Sequence, residues 1–118
     1  EKGNFMGPTL LTEVTKDMPC YQEEIFGPVL CCINVGSLGE AIELVNGNAM
    51  GNGVAIFTAS GGAARRFQHE VEVGQIGVNV PVPVPLPFFC WSSSKGSILG
   101  EHHFYGKSAV AFHTQIKT

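Results

Sequence analysis

The sequence has few charged residues and no long apolar run, and both shortages exclude classes of function. The sequence contains seven lysines and arginines and ten acidic residues, so the formal net charge is -3, and only 14% of the residues are charged. Nucleic acids and anionic membranes attract a basic surface that such a chain lacks. Proline and glycine interrupt every apolar stretch before the ~20 residues that a membrane-spanning helix needs. We therefore expect small-molecule partners, with no nucleic acid and no membrane.

Regular cysteine and histidine spacing is also missing. The cysteines stand at positions 20, 31, 32 and 90 and form no Cys-x-x-Cys pair, so neither a zinc site nor a disulfide scaffold is predicted. Cys31 and Cys32 fall in an apolar stretch and are expected as small buried hydrophobic residues of a reduced, intracellular protein. The histidines at 102, 103 and 113 lack a carboxylate or cysteine to complete a ligand set. No metal site is predicted.

The chain holds 118 residues and begins with Glu1 rather than methionine. Its length fits one domain, able to bury roughly two-thirds of its unfolded surface. Nothing at its start has the pattern of a signal or transit peptide. We expect a piece of a longer protein whose targeting sequence lies outside these residues.

Strand patterns alternate with helix patterns along the first two thirds of the chain. A short strand is predicted at 9–14, and apolar strands at 29–35, 54–58 and 75–80. The strand at 29–35 is apolar on both faces, which is typical of a central parallel strand covered by helices. Strand, helix, strand, helix, strand predicts an α/β fold with a parallel sheet and right-handed crossovers.

Both intervening helices have recognisable ends. Ser37 and Glu40 form a capping box that starts the first helix, and Ser60 caps the second. Asn-Gly-Asn at 46–48 is expected to end the first in a left-handed turn, and Gly74 to end the second. The buried faces are predicted to carry Leu38, Ala41, Ile42 and Val45 in the first helix, and Ala64, Phe67 and Val71 in the second.

A glycine-rich phosphate loop is absent. A dinucleotide fold normally carries Gly-x-Gly-x-x-Gly after its first strand. Here Gly61-Gly62 opens a helix without that pattern, and Gly51-Asn52-Gly53 precedes a strand. If a dinucleotide is bound, most of its site lies elsewhere.

Prolines at 81, 83, 85 and 87 alternate with Val82, Val84 and Leu86. Such a segment can be neither helical nor a regular donor to a sheet. It could serve as a ligand for a proline-recognition domain or as an extended strap that crosses the fold. The apolar alternation favours a packed strap.

The stretch from Tyr21 to Val29 carries the candidate site. A glutamate carboxylate there offers two acceptor oxygens, which suit a vicinal diol such as a nucleotide ribose, and Phe26 offers a flat wall for a planar ring. The alternative is that Glu23 and Glu24 are solvated surface residues and Phe26 belongs to the core.

The segment Glu23-Glu24-Ile25-Phe26-Gly27-Pro28-Val29 resembles a signature of the NAD(P)-dependent aldehyde dehydrogenases. That resemblance implies that Glu24 binds the nicotinamide ribose and that Phe26 contacts the nicotinamide end of the cofactor. The signature assigns a role to these two residues only.

Three further segments are similar to the methylmalonate-semialdehyde dehydrogenase branch: residues 74–87, Phe104-Tyr105-Gly106-Lys107, and Thr114-Gln115-Ile116-Lys117-Thr118. The resemblance implies an NAD-dependent enzyme of valine catabolism that converts methylmalonate or malonate semialdehyde to acyl-coenzyme A with release of carbon dioxide. It also implies a homo-oligomer, a tetramer, in the mitochondrial matrix of a eukaryote or the cytoplasm of a bacterium.

By that resemblance, residues 1–118 correspond to the C-terminal part of an aldehyde dehydrogenase catalytic domain. The part comprises the βαβαβ portion, the proline-rich strap at 81–87, and a helix and the start of an oligomerisation strand at about 104–118. The nucleophilic cysteine is implied to lie before Glu1, so no catalytic residue is assigned here. The alternative is a catalytically inactive fragment or degenerate copy that acts only as an oligomer-interface or interaction domain.

The segment 88–103 departs from the branch. Cys90-Trp91-Ser92-Ser93-Ser94 stands where Ser-Phe-Thr-Gly-Ser is expected, and Glu101-His102-His103 replaces a stretch where Asp and Asn are usual. A glycine lost at Ser93 is expected to strain a turn that needs positive φ.

Overall fold

The computed structural model describes residues 3–118. Its helices are α1 Pro19–Gln22, α2 Leu38–Gly47, α3 Gly61–Glu70 and α4 Ser108–His113. Its strands are β1 Thr9–Leu11, β2 Val29–Cys31, β3 Met50–Gly51, β4 Gly53–Ile56, β5 Gln75–Val78 and β6 Ser94–Lys95. The chain forms two compact units, Glu1–Gly36 and Ser37–Thr118. Among the described residues, no helix has the length and apolar character needed to cross a membrane.

The strands pair two by two. β1 and β2 are parallel, β4 and β5 are parallel, and β3 and β6 are antiparallel. The α/β class with parallel pairing is confirmed, and β4, α3 and β5 form one crossover unit. The predicted extents of the strands were too long, since β2 ends at Cys31 and β5 at Val78.

The first unit leaves much of its strand pair uncovered. Leu10 lies opposite Leu30 in the register of β1 and β2, and these side chains are 59% and 64% exposed. Cys31 and Cys32 are half-buried rather than buried. The expectation that helices cover both faces of β2 is therefore wrong for the residues that the structure describes. Apolar composition alone could not tell which elements would do the covering.

The helices of the second unit begin where the caps predict. The Ser37 hydroxyl accepts from the Glu40 amide at 3.2 Å, and the Ser60 hydroxyl accepts from the Ala63 amide at 3.2 Å. The predicted ends are less accurate. Asn48 follows α2 in an extended conformation with φ -74°, not in a left-handed turn. α3 ends at Glu70, before Gly74, because Val71 turns to an extended conformation with ψ 134° and is buried.

The core of the second unit lies between α2, α3 and the β4–β5 pair. Ile42, Phe67 and Val71 are buried, and the partly buried residues around them are Leu38, Val45, Val54, Ile56 and Ile76. Burying each large apolar side chain stabilises the unit by about 1.5–3 kcal/mol. The helix faces predicted from spacing supply most of this core.

The proline-rich strap approaches β4 and β5 through Pro83. A Cβ added to Gly53 would lie 3.5 Å from Pro83 Cγ, and one added to Gly77 would lie 3.3 Å from Pro83 Cβ. Val82, Val84 and Leu86 instead point outward, with exposed fractions of 66%, 61% and 58%. The strap thus presents its apolar alternation to solvent and packs through its rings.

Candidate functional site

The candidate site is the loop from Glu23 to Pro28, between α1 and β2. At its start, the Glu23 amide donates to the Pro19 carbonyl at 2.9 Å and closes the single turn of α1. At its end, the Gly27 amide donates to the Ile25 carbonyl at 3.0 Å, and the Val29 amide donates to the Gly27 carbonyl at 2.8 Å. Hydrogen bonds therefore fix the loop where it leaves α1 and where it enters β2.

Glu24 and Phe26 both lie on the exposed surface of this loop. Phe26 is 94% exposed, which leaves its ring uncovered by the described residues. None of those residues hydrogen-bonds to the Glu24 carboxylate, and Glu24 is exposed. A free carboxylate two residues from an uncovered ring fits a ribose diol and a planar base. The loop offers no phosphate cradle, so it fits one end of a dinucleotide only.

The alternative, that both glutamates are solvated and Phe26 belongs to the core, agrees with the structure only in part. Glu23 and Glu24 are exposed, as that alternative expects, but Phe26 is not a core residue. A large apolar side chain left almost fully exposed lacks the usual stabilisation from burial. Leu99 and Ile116 are exposed to a similar extent, so what marks this loop is the exposed ring together with the free carboxylate two residues before it.

The cysteines do not occupy an activating environment. The Cys31 thiol donates to the Cys20 carbonyl at 3.5 Å, and burial, with the Cys20 thiol adding to it, raises the pKa of Cys31. A nucleophilic cysteine needs the opposite shift. The exposed Cys90 lies 3.2 Å, sulfur to oxygen, from the Ser108 hydroxyl, which is no general base. We assign no nucleophile to them.

Within residues 3–118, no group of three or more histidines, cysteines and carboxylates is arranged to hold a metal ion. His113 contacts the Phe112 ring, with ring centroids 4.8 Å apart.

A polar network in the second unit was not foreseen from the sequence. The Ser93 hydroxyl donates to Asn52 Oδ1 at 2.7 Å, and the Gln75 amide donates to the same oxygen at 3.2 Å. The Trp91 indole donates to the Ser93 hydroxyl at 3.3 Å. The side chains come from three separate segments, so sequence spacing gives no signal for it.

The expected strain at Ser93 is wrong. The positive φ in this region falls on Lys95, at 54°. Its ammonium donates to the carbonyls of Val45 and Asn46, at 3.3 and 2.8 Å, and so neutralises the C-terminal end of α2. Ser93 is thereby free to join the Asn52 network.

An open cavity of about 360 Å³ lies beneath the strap in the second unit, lined among others by Gln75, Ile76, Pro83, Val84 and Cys90. It includes neither Glu24 nor Phe26. Its walls are mainly apolar, and no pair of titratable groups converges in it. It has the character of a packing surface rather than of a reaction centre.

A family model for the aldehyde dehydrogenases matches residues 1–118, the whole chain. The chain belongs to the aldehyde dehydrogenase family. The Arabidopsis thaliana methylmalonate-semialdehyde dehydrogenase [acylating], mitochondrial, is 62% identical to this chain over 118 residues, which cover 100% of the chain and 19% of the relative.

Two solved structures share the fold. The crystal structure of methylmalonate-semialdehyde dehydrogenase from Oceanimonas doudoroffii has a TM-score of 0.93 at 44% identity, covering 98% of this chain and 24% of that one. The second is a crystal structure from Sinorhizobium meliloti 1021, complexed with NAD, of a protein provisionally named methylmalonate-semialdehyde dehydrogenase. It has a TM-score of 0.86 at 42% identity, covering 90% of this chain and 22% of that one. The chain thus spans about a fifth to a quarter of the length of these relatives.

Proposed function

We propose that this chain is part of an NAD-dependent, coenzyme A-acylating methylmalonate- or malonate-semialdehyde dehydrogenase and supplies that enzyme's nicotinamide-ribose contact. One structural observation carries the assignment. The anchored loop presents a carboxylate without a hydrogen-bond partner among the described residues, and beside it a phenylalanine ring that is 94% exposed. The 62% identity to the acylating Arabidopsis relative supports the choice of substrate class and of coenzyme A.

Glu24 binds by accepting hydrogen bonds from both hydroxyls of the nicotinamide ribose. Phe26 covers the nicotinamide end and keeps water from it. NAD, when bound, supplies a hydride acceptor. The fixed ends of the loop hold Glu24 at one position, so the ribose is oriented rather than merely retained.

The remaining chemistry is assigned to residues outside this chain. Acylation of coenzyme A needs a thiolate to attack the aldehyde and hydrogen-bond donors to stabilise the developing oxyanion. The raised pKa of Cys31 and the carbonyl contact of its thiol are unsuited to that attack. We accordingly place the nucleophile and the phosphate-binding residues in the rest of the protein.

Steady-state kinetics of the intact protein test this function. With semialdehyde, NAD and coenzyme A, we expect NADH and acyl-coenzyme A in equal amounts. Glu24→Gln is expected to lower kcat/KM for NAD by about tenfold, because one charged acceptor to the diol is lost. Glu23→Gln, with the same change of charge at the adjacent exposed position, is the matched control and is expected to change it little.

The outcomes separate this function from its alternative. Equal kinetics for the two glutamine variants would remove Glu24 from the site. An intact protein that forms no NADH would instead favour the inactive copy, which acts through its oligomer surface.

We also propose a homo-oligomer, a tetramer, in which residues 114–118 pair with a sheet of a neighbouring subunit. In the described chain this segment forms no strand, and Ile116 is 92% exposed, which leaves its backbone available to a partner. Light scattering should give a tetramer for the intact protein and a smaller species for Ile116→Asp. Leu99→Asp, at a side chain 97% exposed, is the control, and an equal response of both variants would contradict the assignment.

The proposed compartment follows the relatives. The Arabidopsis and Bos taurus relatives are both named as mitochondrial, so we place a eukaryotic protein in the mitochondrial matrix and a bacterial one in the cytoplasm. Fractionation of the source cells tests this, and recovery of the protein from another compartment would contradict it.

A further inference from the structure

Two half-buried cysteines meet at the base of the candidate loop. Cys20 lies in α1, and Cys31 is the last residue of β2. The Cys31 sulfur is 3.5 Å from the Cys20 carbonyl oxygen. Burial raises the pKa of Cys31, and the nearby Cys20 side chain adds to this shift. The fold therefore brings the Cys31 thiol against the backbone of Cys20, eleven positions earlier in the chain.

The neighbouring cysteine is directed elsewhere. The Cys32 amide donates to the Leu11 carbonyl at 2.8 Å, and the Cys32 carbonyl accepts from the Val14 amide at 3.1 Å. Cys32 thus continues the extended pairing of β2 with the β1 segment. Successive side chains of an extended strand point to opposite faces, so Cys32 faces away from Cys31. Cys32 therefore serves as the control in a test of the Cys20–Cys31 pair.

Cys20 and Cys31 also bracket the loop that carries Glu24 and Phe26. A bond between them would close this loop into a ring. Disulfides require a narrow range of separation and dihedral angle, whereas the Cys31 thiol now points to the Cys20 carbonyl. Forming the bond would turn that thiol from oxygen to sulfur and shift the single turn of α1, from which the loop departs.

We propose that Cys20 and Cys31 are a reversible redox pair, and that their oxidation by a peroxide to a disulfide weakens NAD binding at the Glu23–Pro28 loop. The Cys20 sulfur attacks the peroxide, becomes a sulfenic acid and releases water. The second thiol then attacks that sulfur, forms the S–S bond and releases a second water. Two electrons pass from the sulfurs to the peroxide, and a thiol reductant restores both thiols by exchange. The effect on NAD rests on the proposed function, whereas the pairing does not.

Peptide mapping of the intact protein tests the pairing. The protein is treated with hydrogen peroxide, its free thiols are alkylated, and it is digested with trypsin and with a protease that cleaves after glutamate. Trypsin alone leaves Cys20 and Cys31 in one peptide, because no Lys or Arg occurs between Lys16 and Arg65. Cleavage after Glu23 and Glu24 separates them, so a disulfide appears as two joined peptides that a reductant releases.

Single variants identify the sulfurs. We expect the joined peptides in the native protein and in Cys32→Ser, and their loss in Cys20→Ser and in Cys31→Ser. Joined peptides that persist in Cys31→Ser and vanish in Cys32→Ser would overturn the pairing. So would oxidation of Cys20 to sulfenic or higher acids with no joined peptides.

NAD titration of the same samples tests the consequence. Peroxide should raise the dissociation constant for NAD several-fold in the native protein and in Cys32→Ser, and a reductant should reverse the change. Cys20→Ser and Cys31→Ser should not respond. A disulfide that forms without changing NAD affinity would overturn the switch. The reduced Glu24→Gln variant reports separately on the proposed function, so failure of one claim is distinguishable from failure of the other.

Discussion

Asn79 shows how one side chain can end a strand while continuing its pairing. Its φ is 56°, in the left-handed region, and β5 ends immediately before it. Its side chain accepts from the Thr58 amide at 2.9 Å and donates to the Thr58 carbonyl at 3.1 Å. The amide thus acts as one more peptide group beside β4. Asparagine tolerates this conformation better than most residues.

Substitutions at Asn79 separate the backbone effect from the hydrogen bonds. Asn79→Gly loses both side-chain bonds but accepts positive φ, whereas Asn79→Ala loses the bonds and must also adopt a disfavoured conformation. We expect the alanine variant to be the less stable of the two by about 1 kcal/mol. Chemical denaturation of both variants measures the difference. Equal stabilities would show that φ at this position is not constrained.

Single residues were predictable where the controlling partner is close in sequence. Ser37 and Ser60 were recognised as caps because each accepts from an amide three positions later. The left-handed conformation of Lys95 was missed, since its reason is the end of α2, about fifty positions earlier. Glu24 is proposed as a site residue only through its resemblance to a family signature, because a single exposed carboxylate gives no physical signal of its own.

At the scale of elements, Gly74 allows β6 and its preceding segment to pack against the start of β5. A Cβ added to Gly74 would overlap the Ser92 carbonyl and the Ser93 backbone. The Gly74 amide also donates to the Gly51 carbonyl at 3.0 Å. This close approach, rather than the predicted end of α3, explains the glycine.

Alanine substitutions test this packing. Gly74→Ala is expected to destabilise the protein by roughly 2 kcal/mol or more, because backbone must move to admit the methyl group. Gly61→Ala is the control, since a Cβ there meets nothing within 4 Å, and it is expected to be neutral or slightly stabilising in the first turn of α3. Melting temperatures of both variants give the comparison. A Gly74→Ala protein as stable as the control would contradict the close approach.

The buried face of each element was predicted more accurately than the element that packs against it. Helical spacing identified Ile42 and Phe67 as core residues, and both are buried. The apolar alternation of the strap predicts packing without showing which residues make it, and Pro83 is the one that lies against Gly53 and Gly77. Periodicity within one segment shows which residues share a face. It does not show which face a distant element will cover.

Across the whole molecule, the described chain leaves more surface in water than its mass requires. Its accessible area is 9164 Å², against about 6,200 Å² for a typical folded monomer of this size. Its buried apolar residues are Val14, Ile42, Phe67 and Val71, whereas Leu99 and Ile116 are 97% and 92% exposed. The expected burial of two-thirds was therefore wrong, because about half of the unfolded area stays exposed. Further protein surface is needed to cover these side chains. This agrees with a chain that spans about a fifth to a quarter of the length of its relatives.

The most direct test of the account is a crystal structure of the intact protein with NAD. It measures the distance from the Glu24 carboxylate to the hydroxyls of the nicotinamide ribose. We predict hydrogen bonds of about 2.6–3.0 Å, with the Phe26 ring against the nicotinamide end and the reacting thiol contributed from outside this chain. A ribose held by other residues, with Glu24 directed into solvent, would contradict the account.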